Sequence, residues 1–147
     1  MPQEENKAII RRLVEVWNTG ELGVLKELIA PDYVRHYRSR TTRPESGPEW
    51  YRQWVTGTRT EVPDFHIAVE DLLADGDKVV YRATMSGTHG GESRTPWGTT
   101  VPPTGKKVTW TVIWIARIAG GKIAEDWLED DELTYWQQVG AIPSPSS

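Results

Sequence analysis

The sequence contains no cysteine, which excludes disulfide bonds, thiolate metal ligands and a cysteine nucleophile. It also has no apolar run near the ~18 residues that a membrane-spanning helix needs. The N-terminal segment carries charged residues early and has no apolar core, so it does not resemble a secretory signal. We therefore expect a cytoplasmic protein with no membrane contact.

Positive charge is also scarce. The net charge is −4 and the pI is about 5.4, which disfavours nucleic acid as a partner because phosphate binding needs a basic patch. No glycine-rich phosphate loop and no GxSxG motif occurs, so neither a nucleotide cofactor nor a serine nucleophile is indicated. The three histidines do not cluster at metal-ligand spacings. The sequence therefore predicts no cofactor and no metal.

Tryptophan, by contrast, is abundant: eight Trp stand against one Phe. An indole offers a flat apolar face and one N–H donor, which suits a pocket for a planar organic ligand. It suits an ordinary core or a dimer interface as well. Composition alone leaves these three uses open.

Three N-terminal helices are predicted from apolar spacing and capping residues. The first covers residues 3–18, and Gly20, just after its end, is free to take a left-handed cap. The second is short and stops at Ala30, because the residue before a proline disfavours helix. The third begins at Ser46, which with Glu49 forms a capping box. An extended piece at 31–37 and a polar, basic loop at 38–45 separate the last two.

The second half of the chain is predicted to be strand. Alternation of apolar and polar residues marks one strand at 65–70 and the next at 79–89, joined by a hairpin turn. A long loop at 90–106 precedes a second hairpin within residues 107–131. A helical stretch at 133–139 and a disordered Pro/Ser tail at 142–147 follow. Residues 1–141 are predicted to form a single domain.

Every second residue on the first strand of the second hairpin is apolar. These residues are Val108, Trp110, Val112, Trp114, Ala116 and Ile118. The return strand brings Glu125, Asp126, Asp130 and Asp131 alongside that face. Aromatic side chains beside carboxylates are typical of a small-molecule pocket with an acid/base group. The alternative is a packed sheet with solvated carboxylates.

The identity of the inward carboxylate depends on the turn at 120–121. A two-residue turn pairs Trp114 with Trp127, and it puts Glu125 and Trp127 inside. A three-residue or bulged turn shifts the register by one and puts Asp126 inside.

Helices followed by long antiparallel strands define an α+β fold. A curved antiparallel sheet wrapped around the N-terminal helices forms a cone, and the apolar face of the strands lines its cavity.

Six short pieces, in this order and spacing, resemble the SnoaL-like polyketide cyclases of the NTF2-like superfamily. They are WNTG at 17–20, APDY at 30–33, DGDKVV at 75–80, GTHG at 87–90, PPTGK at 102–106 and GKIAEDW at 121–127. The resemblance covers about residues 5–141. It implies the NTF2-like cone and a homodimer. The outer sheet face, with Thr109, Thr111, Ile113 and Ile115, is partly apolar and offers an interface.

Cyclases of this family close a ring by an intramolecular aldol reaction on a polyketide ester, without metal or cofactor. An aspartate on the last strand is their acid/base group, and a histidine on the preceding strand faces it. In this sequence Leu128 and Trp114 occupy these positions. The resemblance then implies either that Asp126 has taken over as acid/base group or that the chain is a non-catalytic ligand-binding protein. A hydroxylase, hydrolase or isomerase of the same fold is a further alternative.

Asp126, His89 and His36 are the predicted catalytic residues. A carboxylate held against tryptophans is poorly solvated, which suits a general base. His89 shares a strand face with Tyr81 and Met85, so it is predicted to face the cavity and to donate to a substrate carbonyl or relay a proton. His36 is predicted at the cavity mouth, where it hydrogen-bonds an enolate or ketone oxygen.

A hydrophobic or aromatic small molecule is the predicted partner. The residues predicted to contact it are Trp50, Trp54, Tyr33, Tyr81, Met85, Trp110, Trp114 and Leu128.

Overall fold

The computed structural model describes residues 2–37 and 45–145, without the side chains of residues 45 and 46. In that part of the chain the helices are α1 (Pro2–Thr19), α2 (Leu25–Leu28), α3 (Pro48–Glu61) and α4 (Glu132–Gln138). The strands are β1 (Ile29–His36), β2 (Glu45–Ser46), β3 (His66–Asp75), β4 (Lys78–Thr88), β5 (Ser93–Arg94), β6 (Thr100–Val101), β7 (Lys107–Ala119) and β8 (Lys122–Asp130). The predicted α+β class is confirmed.

Six of these strands form one sheet, in the order β2-β1-β8-β7-β4-β3. Its pairs are antiparallel except β1 with β8, which is parallel. One face of the sheet packs against α1, α3 and α4 and encloses the apolar core. Strands β5 and β6 form a separate hairpin inside the predicted loop at 90–106.

Helix α1 follows the predicted apolar stripe. Ile10, Leu13 and Trp17 are buried, together with Val16, and the helix ends in a backbone hydrogen bond of 2.8 Å from Gly20 N to Val16 O. Gly20 has φ +77°, a left-handed conformation that only glycine adopts readily. The predicted glycine cap is confirmed.

Two predicted boundaries in the N-terminal half are wrong. The second helix ends at Leu28, before Ala30, because Ile29 starts β1 beside β8. The third helix does not begin at Ser46: that residue pairs with Val34 on β1, Gly47 is the N-cap residue and α3 begins at Pro48. Residues 31–36 of the predicted extended piece are thus part of β1, and the sheet contains β1 and β2 in addition to the four predicted strands.

Two predicted irregular segments fall partly outside the described residues. Of the loop at 38–45, residues 38–44 lie outside, and residue 45 belongs to β2. Of the tail, residues 146–147 lie outside, and residues 142–145 are in neither helix nor strand. Among the described residues, no helix is long and apolar enough to cross a membrane.

A β-bulge decides which side of β8 faces the core. Ala119 lies opposite Lys122 across a two-residue turn, but Arg117 lies opposite Glu125, which leaves Ala124 as the extra residue. Beyond the bulge the register is shifted by one place, as in the second predicted alternative. Asp126 is therefore inside, with 1% of its surface exposed.

Candidate active site

An aromatic cavity of about 80 Å³ lies between the inward sheet face, α3 and α4. Apolar and aromatic side chains make up most of its wall, and they come from positions along most of the chain. The lining residues are Trp17, Tyr37, Trp54, Thr58, Glu61, Val62, Phe65, Met85, Trp110, Trp114, Leu128, Asp130, Glu132 and Tyr135. The cavity has the apolar lining and few polar groups that are typical of small-molecule sites.

Most of the predicted substrate-contacting residues are on this wall. They are Trp54, Met85, Trp110, Trp114 and Leu128. Trp50, Tyr33 and Tyr81 lie behind it. Tyr81 stacks on Trp114 with ring centroids 4.9 Å apart, and Tyr33 stacks on Trp50 at 6.3 Å. Tyr81 thus supports Trp114 directly, and Trp50 supports Trp54 with ring centroids 5.0 Å apart, while Tyr33 packs behind Trp50.

Three carboxylates line the cavity from three different elements: Glu61 on α3, Asp130 on β8 and Glu132 on α4. The hydroxyl of Tyr37 donates a hydrogen bond of 3.0 Å to Oδ2 of Asp130. Asp130 faces inward because the bulge sets the alternation of β8. Across residues 2–37 and 45–145, no group of three or more His, Cys, Asp or Glu side chains is arranged to hold a metal ion.

Asp126 faces inward but is not on the cavity wall. Arg35 donates a hydrogen bond to each of its carboxylate oxygens, from Nε to Oδ1 at 3.0 Å and from Nη2 to Oδ2 at 2.8 Å. The hydroxyl of Tyr33 donates to the same Oδ1 at 2.9 Å. Arg35 and Asp126 are 0% and 1% exposed, so they form a fully buried, bidentate ion pair.

Electrostatics hold Arg35 in its charged form. Burial lowers the pKa of Arg35, but the carboxylate of Asp126 opposes that effect and the net shift is well upward. Burial also raises the pKa of Tyr33 well above its usual value, so its hydroxyl stays protonated and can donate. The Arg35 guanidinium carbon lies 5.4 Å from the ring centroid of Trp54 and 5.9 Å from that of Trp114. The ion pair thus supports two wall residues from behind.

His89 is buried next to the cavity and does not line it. Its Nδ1 accepts from the backbone N–H of Thr104 at 3.3 Å and lies 2.9 Å from the Thr104 hydroxyl. Because Nδ1 is an acceptor, the ring proton is on Nε2, which donates to Ser93 Oγ at 3.0 Å. Burial lowers the pKa of His89, which favours this neutral form.

Ser93 connects His89 to two groups on the cavity wall. Its hydroxyl donates to Oε2 of Glu61 at 3.1 Å and lies 2.9 Å from the hydroxyl of Tyr135. A serine has one proton to donate, so Tyr135 donates to Ser93. The chain from His89 through Ser93 to Glu61 and Tyr135 is continuous.

His36 is not at the predicted place. Alternation on β1 turns Tyr33 and Arg35 inward and His36 outward. On the outer face His36 Nε2 lies 2.7 Å from Glu125 Oε2, and its ring stacks on Trp127 at 5.3 Å. This position contradicts the prediction that His36 lies at the cavity mouth.

Sequence reasoning missed Arg35, Glu61 and Ser93 as site residues. Alternation on β1 was a usable signal for Arg35, because Tyr33 was already among the predicted contacts. Glu61 is the last residue of α3 and Ser93 lies in an irregular segment, so no periodicity in the sequence places them together.

An α+β cone with an aromatic cavity and several carboxylates on its wall is typical of proteins that bind or convert a small molecule. The chain belongs to the SnoaL-like polyketide cyclase family, whose family model matches residues 7–139. The resemblance inferred from the six sequence pieces is confirmed, and family membership supports a cyclase- or isomerase-type enzyme.

Relatives agree with this assignment. The aklanonic acid methyl ester cyclase DnrD of Streptomyces peucetius is 27% identical over 135 residues, which cover 90% of this chain and 88% of DnrD. The crystal structure of IdmH, a proposed polyketide cyclase from Streptomyces antibioticus, matches with a TM-score of 0.78 and 32% identity over 92% of this chain and 98% of IdmH. AclR, a proposed hydroxylase from Streptomyces galilaeus, matches with a TM-score of 0.83 and 27% identity over 99% of this chain and 87% of AclR.

Proposed function

We propose that this protein closes a ring on a polyketide-like aromatic substrate by acid/base chemistry without a cofactor. The observation that carries the proposal is the aromatic cavity with Glu61, Asp130 and Glu132 on its wall. Aromatic faces suit a planar ligand, and a carboxylate in an apolar cavity suits the removal of a proton from carbon. The relative DnrD acts on aklanonic acid methyl ester, so a related keto ester is the substrate class.

Asp130 is the proposed general base. It lines the cavity and receives a hydrogen bond from Tyr37, which orients its carboxylate. Asp126 does not line the cavity, and both of its oxygens accept hydrogen bonds from Arg35, so it is not placed to reach a substrate carbon. We therefore assign Asp126 a positioning role and transfer the predicted base function four residues along the same strand face, to Asp130.

The proposed reaction moves one proton from carbon to oxygen. Asp130 takes a proton from the carbon next to a carbonyl, and the C–H electron pair becomes that of an enolate. The enolate carbon attacks a second carbonyl carbon, so that one C–C bond forms and the attacked oxygen becomes an alkoxide. The alkoxide takes up one proton, and the product is an isomer of the substrate.

The chain of hydrogen bonds through Ser93 is the proposed source of the proton for the alkoxide. Tyr135 lines the cavity, and its hydroxyl donates to Ser93, which also contacts His89. Tyr135 can give its proton to the alkoxide, and Ser93 can turn its hydroxyl to donate to the phenolate that forms. After the product leaves, Asp130 releases to water the proton that it took from carbon and Tyr135 takes one from water, so both groups regain their starting forms. His89 acts in this scheme by holding Ser93, so it is a positioning residue.

The cavity is smaller than the roughly 300–1,000 Å³ of typical ligand sites. Substrate binding is therefore expected to move wall side chains. Trp54, Thr58 and Glu61 also line a surface groove beside Arg94, which makes this edge of α3 the proposed entrance.

Incubation of the purified protein with aklanonic acid methyl ester tests the proposal. A product with the same mass as the substrate supports ring closure. A product heavier by one oxygen favours a hydroxylase, the activity proposed for AclR. Quenching of tryptophan fluorescence without any product favours the non-catalytic alternative, which the presence of Leu128 at the family's acid position supports.

A homodimer is part of the proposal. On the outer sheet face Ile113 is 48% exposed and Trp127 is 36% exposed, and Ile115 lies directly opposite Trp127. Neighbouring exposed apolar residues of this kind mark interaction surfaces. The proposed location is the cytoplasm, which cell fractionation tests.

A further inference from the structure

Trp114 carries a buried hydrogen-bond donor that the fold does not use. The residue lines the cavity and is 3% exposed. Its indole Nε1 has no hydrogen-bond partner among the described residues. A buried indole N–H in a folded protein usually has an acceptor.

An unpaired donor of this kind lowers the stability of the folded protein, because the N–H loses its bond to water and gains no other. Buried groups without a partner are few in folded proteins, and each needs an explanation. For a residue on the wall of a cavity, the simplest explanation is an acceptor that arrives with the ligand.

The ring of Trp114 is held in place before any ligand binds. Tyr81 stacks on it with an interplanar angle of 17° and a centroid distance of 4.9 Å. The Arg35 guanidinium carbon lies 5.9 Å from its ring centroid, and this positive charge polarises the indole. A fixed, polarised donor stabilises developing negative charge without reorganisation during the reaction.

Strand register places this donor near the proposed base. Trp114 lies opposite Leu128 on β8, and Asp130 lies opposite Val112. Trp114 and Asp130 are therefore diagonal neighbours on the same sheet face, a relationship that puts Cβ atoms about 7–8 Å apart or less. That spacing suits a ketone whose oxygen is at Trp114 and whose acidic carbon is at Asp130.

We propose that Trp114 Nε1–H binds the carbonyl oxygen of the substrate and stabilises the enolate that forms from it. The ligand class is an aromatic ketone or keto ester. When Asp130 removes the α proton, negative charge moves to this oxygen, and the indole keeps its own proton while its hydrogen bond strengthens. This inference rests on the proposed ring closure for its catalytic part, but not for the binding of a ketone oxygen.

Indole N–H signals in a proton–nitrogen NMR spectrum test the binding part. The Trp114 signal is the one that disappears in Trp114→Phe. On addition of aklanonic acid methyl ester, or of anthraquinone as an unreactive diketone, we expect this signal to move downfield as the hydrogen bond forms. The proposal is overturned if either probe quenches tryptophan fluorescence while the Trp114 signal stays in place. It is also overturned if neither probe binds.

Turnover tests the catalytic part. Trp114→Phe keeps an aromatic ring and removes the donor, so we expect kcat for aklanonic acid methyl ester to fall about 10²-fold, as when one oxyanion donor is removed. Trp127→Phe on the outer face should leave kcat unchanged. If Trp114→Phe does not fold, benzothienylalanine at position 114 replaces the N–H by sulfur in a ring of the same shape.

The outcomes separate this inference from the proposed function. If the wild type converts the ester and Trp114→Phe converts it equally fast, the catalytic role of Trp114 is wrong and ring closure remains supported. A wild-type protein that converts nothing but shows the shifted Trp114 signal overturns ring closure and supports the ketone site.

Discussion

Trp114 on β7 lies directly opposite Leu128 on β8. Without the bulge at Ala124, the two-residue turn would pair Trp114 with Trp127 instead. This one-residue shift puts Asp126, Leu128 and Asp130 on the inward face of β8 and turns Trp127 outward. The chemistry of the cavity thus depends on the formation of a bulge at Ala124.

Deletion of Ala124 is expected to remove the bulge and to keep the register beyond it. Ile123 and Glu125 become neighbours and still lie opposite Ile118 and Arg117, so Asp126 stays inside with Arg35. The free energy of unfolding in urea, followed by circular dichroism, should therefore fall by less than the about 3–5 kcal/mol that loss of a buried ion-pair partner costs. A loss as large as that of Arg35→Met would contradict the assignment of Ala124 as the extra residue.

The sequence predicted the helices, the inward face of β7 and the cavity, because each follows from a local period. It left the register of β8 open, since Ala124 has no residue type that marks a bulge. It also missed the parallel pairing of β1 with β8, because strands so far apart in the chain leave no local signal. The grouping of Glu61, Ser93 and His89 depends on tertiary contacts in the same way.

The buried pair of Arg35 and Asp126 is expected to stabilise the fold. Arg35→Met leaves a buried carboxylate without its cation, so the free energy of unfolding should fall by about 3–5 kcal/mol. The exposed pair of Arg82 and Asp71 is the matched control, because Asp71→Asn should cost about 1 kcal/mol or less. Equal effects of the two substitutions in urea unfolding would contradict this interpretation.

Stability should depend on pH through His89. Burial lowers its pKa in the folded state, so the unfolded chain takes up a proton first as the pH falls below the usual value of 6.5. The contribution of His89 is therefore complete above pH 6.5 and declines below it. The free energy of unfolding of His89→Gln should differ less between pH 7.5 and pH 5.5 than that of the wild type. The same substitution at the exposed His66 should leave the wild-type difference in place.

The outer sheet face is expected to hold the dimer. Ile113→Lys places a charge among the exposed apolar residues of that face and should shift the protein to a monomer in light scattering. Leu133→Lys, at an exposed position on α4 and away from that face, is the control and should remain dimeric. A wild-type protein that is already monomeric contradicts the proposed interface.

The rate of ring closure by Asp130→Asn tests the central claim most directly. The variant keeps the shape of the side chain and removes the base, so kcat with aklanonic acid methyl ester should fall about 10²–10⁴-fold. Glu129→Gln, the exposed neighbour on the outer face, should retain the wild-type rate and the same-mass product. A folded Asp130→Asn protein with an unchanged kcat would contradict the account.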